Sequence, residues 1–292
     1  MITKMKKLSV LLALSAVSLF AFTNSARAVI VGPYANGSGL HLWHFNEPVG
    51  NPSGTIFDTG SSPMAMGTAL NPEIVGGGIP YPGFGNAGNI GNPGDHRGWN
   101  NGGISMASLL GSNNTPYTLE MLVNFRDNNA GELLREGGGA ALRFYYLGGS
   151  SFQFYTPDGN TFGGSMSSGI VPTPNTWYHL AGTYSGTGTA EAKLYLTEMN
   201  PATTAAVLRD TQVGTTGGSY SGVTGFQIGI QSAGNANAYI DEVRISSAAL
   251  GPTQMMFASD EPSVVPEPST YALGLIGLAG LGFVVWRRRR RG

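Results

Sequence analysis

Tyr117-Thr118-Leu119-Glu120-Met121-Leu122-Val123-Asn124-Phe125 alternates apolar and polar side chains with a period of two. Tyr117, Leu119, Met121, Val123 and Phe125 fall on one face, and Thr118, Glu120 and Asn124 on the other, with Leu122 as the exception. Successive side chains of a strand point to opposite faces, so this stretch predicts a half-buried β-strand. Shorter runs of the same kind recur at 40–45, 142–147, 152–156, 177–184, 192–197, 226–230 and 239–245. Turn formers such as Pro157-Asp158-Gly159-Asn160 and Ser185-Gly186-Thr187-Gly188 separate them. Between residues 29 and 263 no long segment carries the helical period. Strands without crossover helices imply antiparallel sheets, and this length favours two stacked sheets, an all-β sandwich. A helical turn is expected near 253–258. The stretch 76–103, dense in Gly, Pro and Asn, reads as a long surface loop with room for one edge strand.

The two ends follow other rules. Lys4, Lys6 and Lys7 precede an uncharged, mostly apolar run at 8–22, and Ala26-Arg27-Ala28 places small residues where a signal peptidase reads them. That order predicts a secretory signal cleaved after Ala28. At the other end, residues 271–286 carry no charge. As a helix they would cover ~24 Å, slightly under the ~30 Å hydrocarbon core. Tyr271 and Trp286 bound the run, where aromatic rings anchor at a membrane interface, and Arg287, Arg288, Arg289, Arg290 and Arg291 follow as a stop to translocation. The predicted plan is a signal peptide at 1–28, a domain at 29–258, a linker at 259–270, a transmembrane helix at 271–286 and a cytoplasmic tail at 287–292. The domain is then outside, anchored in the inner membrane before processing.

Charge separates along the same boundaries. Of 16 Lys and Arg residues, four lie in the signal and five in the tail, so seven face all 17 acids in the region between. An acidic domain repels phosphate backbones, which argues against nucleic-acid binding. There are no cysteines, so the exported domain must hold together without disulfides.

Chemistry-bearing residues are sparse. His41 and His44 are three apart and fall on opposite faces of a strand, His179 lies inside a strand as a packing residue, and His96 sits in the loop Gly94-Asp95-His96-Arg97. No cluster has zinc spacing. No G-x-S-x-G elbow is present, and Gly83-Phe84-Gly85-Asn86-Ala87-Gly88 runs into Asn92-Pro93 rather than a helix, which removes the dinucleotide reading. Asp127-Asn128-Asn129 lacks the glycine and glutamate spacing of an EF-hand. Glycoside hydrolysis needs two converging carboxylates, but Glu120 is alone on its strand and Asp241 and Glu242 point to opposite faces. Alternation groups Asp241 with Tyr239, Val243 and Ile245, and Glu242 with Ile240 and Arg244. A carboxylate entering an apolar layer needs a partner. Backbone N–H groups or an arginine would serve; so would calcium, held by Asp241, Asp58 and turn carbonyls.

Two resemblances add to this reading. Leu42-Trp43-His44-Phe45-Asn46-Glu47, Asp58-Thr59-Gly60-Ser61-Ser62, the strand at 117–123, Trp177-Tyr178-His179-Leu180-Ala181-Gly182-Thr183-Tyr184, and Ala238-Tyr239-Ile240-Asp241-Glu242-Val243-Arg244-Ile245 with Ala248-Ala249-Leu250 are similar, in order, to landmarks of LamG-like, concanavalin A-like jelly rolls. The usual Trp of the second strand motif is Leu122 here. The resemblance implies a two-sheet antiparallel jelly-roll sandwich, and some relatives bind calcium near the equivalent turns. Val265-Pro266-Glu267-Pro268-Ser269-Thr270, the apolar run and the arginines resemble the PEP-CTERM sorting signal in all three of its parts. That implies recognition by an exosortase and a Gram-negative host that makes exopolysaccharide.

Three functions compete. The first is a non-catalytic module binding a glycan or an extracellular matrix component, with Tyr81, Phe84 and Trp99 as candidate ligand-binding rings in the Gly-rich loop. The second is a structural protein of an exopolysaccharide or biofilm matrix. The third is a glycoside hydrolase with dispersed carboxylates.

Overall fold

The computed structural model describes residues 39–50, 55–76, 84–91, 97–110, 115–136, 142–155, 165–186, 188–200, 203, 205–216, 224–229 and 234–255. The predicted signal, linker, membrane span and arginine tail lie outside these residues, as do Tyr81, His96 and residues 265–268. No helix among the described residues is long and apolar enough to cross a membrane.

In chain order the strands are β1 (His41–Trp43), β2 (Gly67–Leu70), β3 (Glu73–Val75), β4 (Ala87–Asn89), β5 (Gly98–Ser105), β6 (Tyr117–Phe125), β7 (Gly131–Glu136), β8 (Arg143–Gly148), β9 (Ser151–Tyr155), β10 (Ser165–Ser167), β11 (Trp177–Tyr184), β12 (Gly188–Glu198), β13 (Leu208–Thr216), β14 (Thr224–Gly229) and β15 (Ala238–Ser246). One short helix, α1 (Met106–Leu110), follows β5. The first sheet has eight strands in the order β13-β12-β11-β6-β15-β4-β3, with β1 also on β15. The second has seven, β10-β9-β8-β7-β14-β5-β2. All ladders between these strands are antiparallel, so the predicted all-β, two-sheet jelly-roll sandwich is the fold observed.

The apolar alternation locates the core. Tyr117, Leu119, Met121, Val123 and Phe125 of β6 face Phe144 and Tyr146 of β8, Phe152 and Phe154 of β9, and Phe226 and Ile228 of β14 within one buried cluster. Rings interlock across the layer: Trp43 stacks on Phe226 at 5.6 Å between centroids, and Phe125 meets Tyr146 at 4.6 Å. Each such buried ring contributes ~1.5–3 kcal/mol through the area it removes from water. Gly182 of β11 lets Phe154 lie against the backbone, since a Cβ there would come within 2.5 Å of the ring.

Two expectations change. The stretch 76–103 is not a surface loop throughout: β4 joins the first sheet and β5 enters the second between β14 and β2. Its glycines hid the strands by supplying no alternating side chains. They are there because rings need the room, as at Gly88, where a Cβ would sit 2.6 Å from Phe45 and 2.9 Å from Trp99. Secondly, β6 is buried on both faces rather than one. Leu122, the exception to the alternation, belongs to a second apolar cluster with Trp177, Ala181, Tyr195, Met199, Ala206 and Met255, which covers the outward side of the first sheet.

Candidate functional site

The outward side of the first sheet is polar beneath that cover. Glu120 of β6 is fully buried between a histidine and an arginine on neighbouring strands. His179 Nε2 lies 2.9 Å from its Oε2, Arg244 Nε donates to its Oε1 at 2.6 Å, and Arg244 Nη2 pairs with the same oxygen. The chain after β15 closes over them. Thr118 Oγ1 donates to the Ala248 carbonyl at 2.7 Å and accepts the Leu250 N–H at 2.8 Å, while Arg244 Nη2 reaches the Gln254 carbonyl at 3.3 Å. Glu120, solitary on its own strand, thus gains partners that lie 59 and 124 residues away.

A bulge in β15 decides where its acids point. Asp241 pairs with Leu122 and Arg244 with Glu120, so three steps of β15 span two of β6, and Glu242 adopts φ +50° within the irregularity. The bulge sits where the other edge of β15 changes partner, from β4 at Tyr239 and Ile240 to β1 at Val243 to Ile245. One extra residue reverses the alternation. Ile240, Val243 and Ile245 therefore face the core together, while Asp241 shares the outward side with Arg244. The predicted grouping of Asp241 with Val243 and Ile245 is corrected on this ground.

The residues read as calcium ligands divide. Asp58 has all four carboxylate lone-pair directions taken. Its Oδ1 accepts the N–H groups of Leu42 and Gly60, and its Oδ2 accepts the N–H of Met64 and meets His41 Nδ1, each at 2.7 Å. Asp58 is a latch for β1 and carries no free lone pair toward a cation. Asp241 differs. It is fully buried, its Oδ1 accepts only the Glu242 N–H at 2.8 Å, and its Oδ2 has no partner among the described residues. Burial holds its carboxyl well above the ordinary carboxylate range, and the carboxylates of Glu242 and Glu47 push it further up against the opposing Glu242 N–H. Glu47 contributes a second buried oxygen, Oε2, without a partner among the described residues, while its Oε1 accepts the Phe57 N–H at 2.8 Å. Glu242 is matched by His44, whose Nδ1 lies 2.8 and 2.9 Å from its two oxygens. Among the described residues no three His, Asp or Glu side chains gather closely enough to form a metal centre by themselves. Asp241 and Glu47 are the acids that keep a buried oxygen without a hydrogen-bond partner among the described residues.

The candidate rings fare differently. Trp99 is fully buried, in edge contact with Phe45 at 5.2 Å, so it is a core residue and not a ligand-facing one. It faces inward because it pairs with Ile228 on β14. Phe84 packs, partly buried, on the cluster behind the first sheet. Tyr81 lies outside the described residues.

The outward side of the second sheet is the open one. Asn100 of β5, Gln227 of β14, Arg135 of β7 and Arg143 of β8 are successive cross-strand partners in a single row. Glu132, Tyr145 and Gln153 form the adjacent row on β7, β8 and β9. Apart from the fully buried Glu132, these side chains are partly exposed. Arg143 grips Glu132 through two bonds, Nε to Oε1 at 2.7 Å and Nη2 to Oε2 at 2.9 Å, and its guanidinium lies 4.4 Å from the Tyr145 ring centre. Burial pushes the Glu132 carboxyl up, and the two Arg143 bonds only partly restore it. Arg135 Nε donates to Gln227 Oε1 at 3.1 Å. Alternation at Arg143-Phe144-Tyr145 marks the outward residues of β8, but their alignment with β7 and β14 depends on a register that no local pattern carries.

A smaller cleft of about 170 Å³ lies on the first sheet, lined by Thr183, Ser185, Glu191, Lys193, Tyr195 and residues 249–252. It is below the ~300–1,000 Å³ of a typical ligand pocket. Its Lys193 is paired with Glu191 at 2.5 Å, which raises the lysine pKa.

Residues 99–255 match the family model of the concanavalin A-like lectin/glucanases superfamily, and the chain belongs to that superfamily. Residues 264–290 match the PEP-CTERM protein-sorting motif, which implies exosortase-dependent export to the cell surface or extracellular space. Similar solved structures include an HCR/D mutant, at 11% identity and TM-score 0.50, with 76% of this chain and 51% of that one covered. The Botulinum neurotoxin serotype D ligand binding domain in complex with N-acetylneuraminic acid is similar at 12% identity and TM-score 0.45, over 76% and 50% of the two chains. Trypanosoma rangeli sialidase in complex with sialic acid is similar at 15% identity and TM-score 0.46, over 86% and 40%. The chain spans about half the length of these structures or less, and at such identities the likeness concerns the fold. No curated protein matches the chain.

Proposed function

We propose that this is an exported, non-catalytic carbohydrate-binding protein, held at the inner membrane by its C-terminal helix before processing and then displayed at the cell surface or in the extracellular matrix. The observation that carries the reading is the open face of the second sheet. There Tyr145 offers an aromatic surface to the apolar side of a sugar ring, and Asn100, Gln153 and Gln227 offer amides that both donate and accept toward hydroxyls. Membership of a superfamily of lectins and glucanases and the sorting motif support it. The non-catalytic part is supported by the state of the acids: Glu120, Glu132 and Glu242 are each committed to an arginine or histidine. Exosortase and signal peptidase are its partners during export. Calcium is proposed as a structural ligand at Asp241 and Glu47, where buried carboxylate oxygens lack donors.

A matrix-forming structural role is the second reading. Val207, Leu208 and Val213 are 41–62% exposed in or beside β13, the edge strand of the first sheet, and an unpaired edge can add a neighbouring chain. A glycan array probed with the full-length chain, with and without calcium, separates the two. Saturable retention on a subset of glycans, weakened about tenfold by Tyr145→Ala, is the expected result. Retention on none of them would favour the matrix role.

A further inference from the structure

The open face holds a repulsion that the fold does not require. Arg135 and Arg143 are direct cross-strand partners, and like charges placed opposite one another destabilise a sheet. A single carboxylate, Glu132, lies in the two rows, and it is engaged by both nitrogens of the Arg143 fork. Glu136, next along β7, pairs with the inward-facing Phe226 and is buried. The charge of Glu132 also acts on Arg135, but the hydrogen bond that Arg135 makes among the described residues runs from Nε to the neutral Gln227 Oε1. That bond orients the guanidinium plane and leaves the two terminal Nη groups, whose parallel N–H bonds match the two oxygens of a carboxylate. This excess of positive charge stands out in a domain where seven basic residues face 14 acids.

We propose that this face binds a carboxylated polysaccharide, with Arg135 gripping the carboxylate of a uronic acid unit and Tyr145, Gln153, Gln227 and Asn100 contacting the ring and its hydroxyls. The inference rests on the carbohydrate-binding reading and narrows it from glycans in general to acidic ones. A carboxylate delivered there relieves the Arg135–Arg143 repulsion, so the ligand completes a charge balance that the empty face lacks.

The test titrates immobilised full-length chain with oligogalacturonate, with the same oligomer as its methyl ester, and with polyglutamate. Oligogalacturonate is expected to bind saturably, and more weakly as salt is raised. Methyl esterification and Arg135→Gln should each weaken it by about tenfold or more, because each removes a charge-assisted pair. Arg135→Lys should fall between, since an ammonium keeps the charge but loses the fork. Arg135 leaves no buried hydrogen-bond partner behind, and Arg135→Gln trades the repulsion from Arg143 against the attraction of Glu132, so these variants should stay folded with a melting temperature close to the wild type; Arg143 is unsuitable because its loss would unpair Glu132. Tyr145→Ala examines the stacking contact independently and should also weaken binding. Equal binding of ester and acid, unchanged affinity in Arg135→Gln, or polyglutamate binding as tightly as the sugar would overturn the inference. Binding of neutral glycans that ignores Arg135→Gln overturns this inference alone. Retention of no glycan, neutral or acidic, overturns the carbohydrate reading with it.

Discussion

Each sheet carries an arginine clamped on a buried glutamate, and the two pairs have opposite fates. On the first sheet Arg244 holds Glu120, the arginine side chain is 6% exposed, and the segment after β15 lies over both. On the second sheet Arg143 holds Glu132, but the arginine is 20% exposed and stands in a row of partly exposed polar groups. Judged by residue type alone, the first cluster looks more like a site, since it joins a glutamate, a histidine and an arginine. Coverage reverses that judgement. Groups sealed beneath Leu122, Trp177 and Met255 fasten strands β6, β11 and β15 together. Similar groups left open can meet a ligand. What separates structure from function here is the roof, and the roof is made by residues far along the chain.

The comparison can be broken most directly at Glu120. Glu120→Ala would leave the Arg244 guanidinium buried without its counter-charge and take the carboxylate away from His179, and removing one partner of a buried ion pair costs ~3–5 kcal/mol. Urea denaturation should show a loss of that order, large against a total stability of ~5–15 kcal/mol. A loss below about 1 kcal/mol, the range of an exposed pair, would mean the first face is not sealed in solution and would erase the distinction.

A second effect belongs to Asp241, buried on the same side of the first sheet. If Asp241 and Glu47 hold calcium, the ion stabilises the folded state by mass action, ~2.7 kcal/mol at one hundred times its dissociation constant. Adding a chelator should then lower the melting temperature of the wild type by about 2–4 °C for each kcal/mol lost in a domain of this size. Asp241→Ala should not respond to the chelator. An equal response in both proteins would remove the metal from Asp241 and leave its Oδ2 as an unexplained cost of the bulge.

How far the sequence alone reached follows from the range of its signals. Alternation in 117–125 and 177–184 is a local pattern, so the strands, their antiparallel pairing and the two-sheet sandwich were legible. Beta-strands without such a pattern were not: β4 and β5 are built mainly from Gly and Asn, with Ala87, Trp99 and Ile104 as their apolar residues, and their backbones pair while offering few apolar side chains to count. Asp241 and Glu47 illustrate a subtler loss. The unusual character of Asp241 could be read, but its face could not, because one inserted residue at Glu242 shifts every later side chain. Asp58 was equally visible as a turn acid, yet only the folded chain shows four donors converging on it. The open row on the second sheet was invisible for the same reason. Arg135, Arg143 and Gln227 are unremarkable along the chain and become a surface only through the registers of three strands.

The smallest expected effect sharpens the comparison from the open side, through pH. Burial raises the Glu132 carboxyl above its ordinary value of 4.5, the Arg143 bonds notwithstanding. Between that ordinary value and the raised one, the folded chain binds more protons than the unfolded chain. The contribution of this group to stability is therefore intact below the window, declines as pH rises through it, and is level above. Glu132→Gln cannot ionise and should lack the decline, so the stability difference between wild type and variant should move against the wild type as pH rises from about 4 toward neutrality. Urea midpoints of both proteins across that range measure it. A difference that moved the other way would mean that Arg143 lowers the carboxyl on balance. Glu132 would then be a well-compensated ion pair like those of a sealed face, and Arg143 would have less of its charge to share with anything that approaches from solvent.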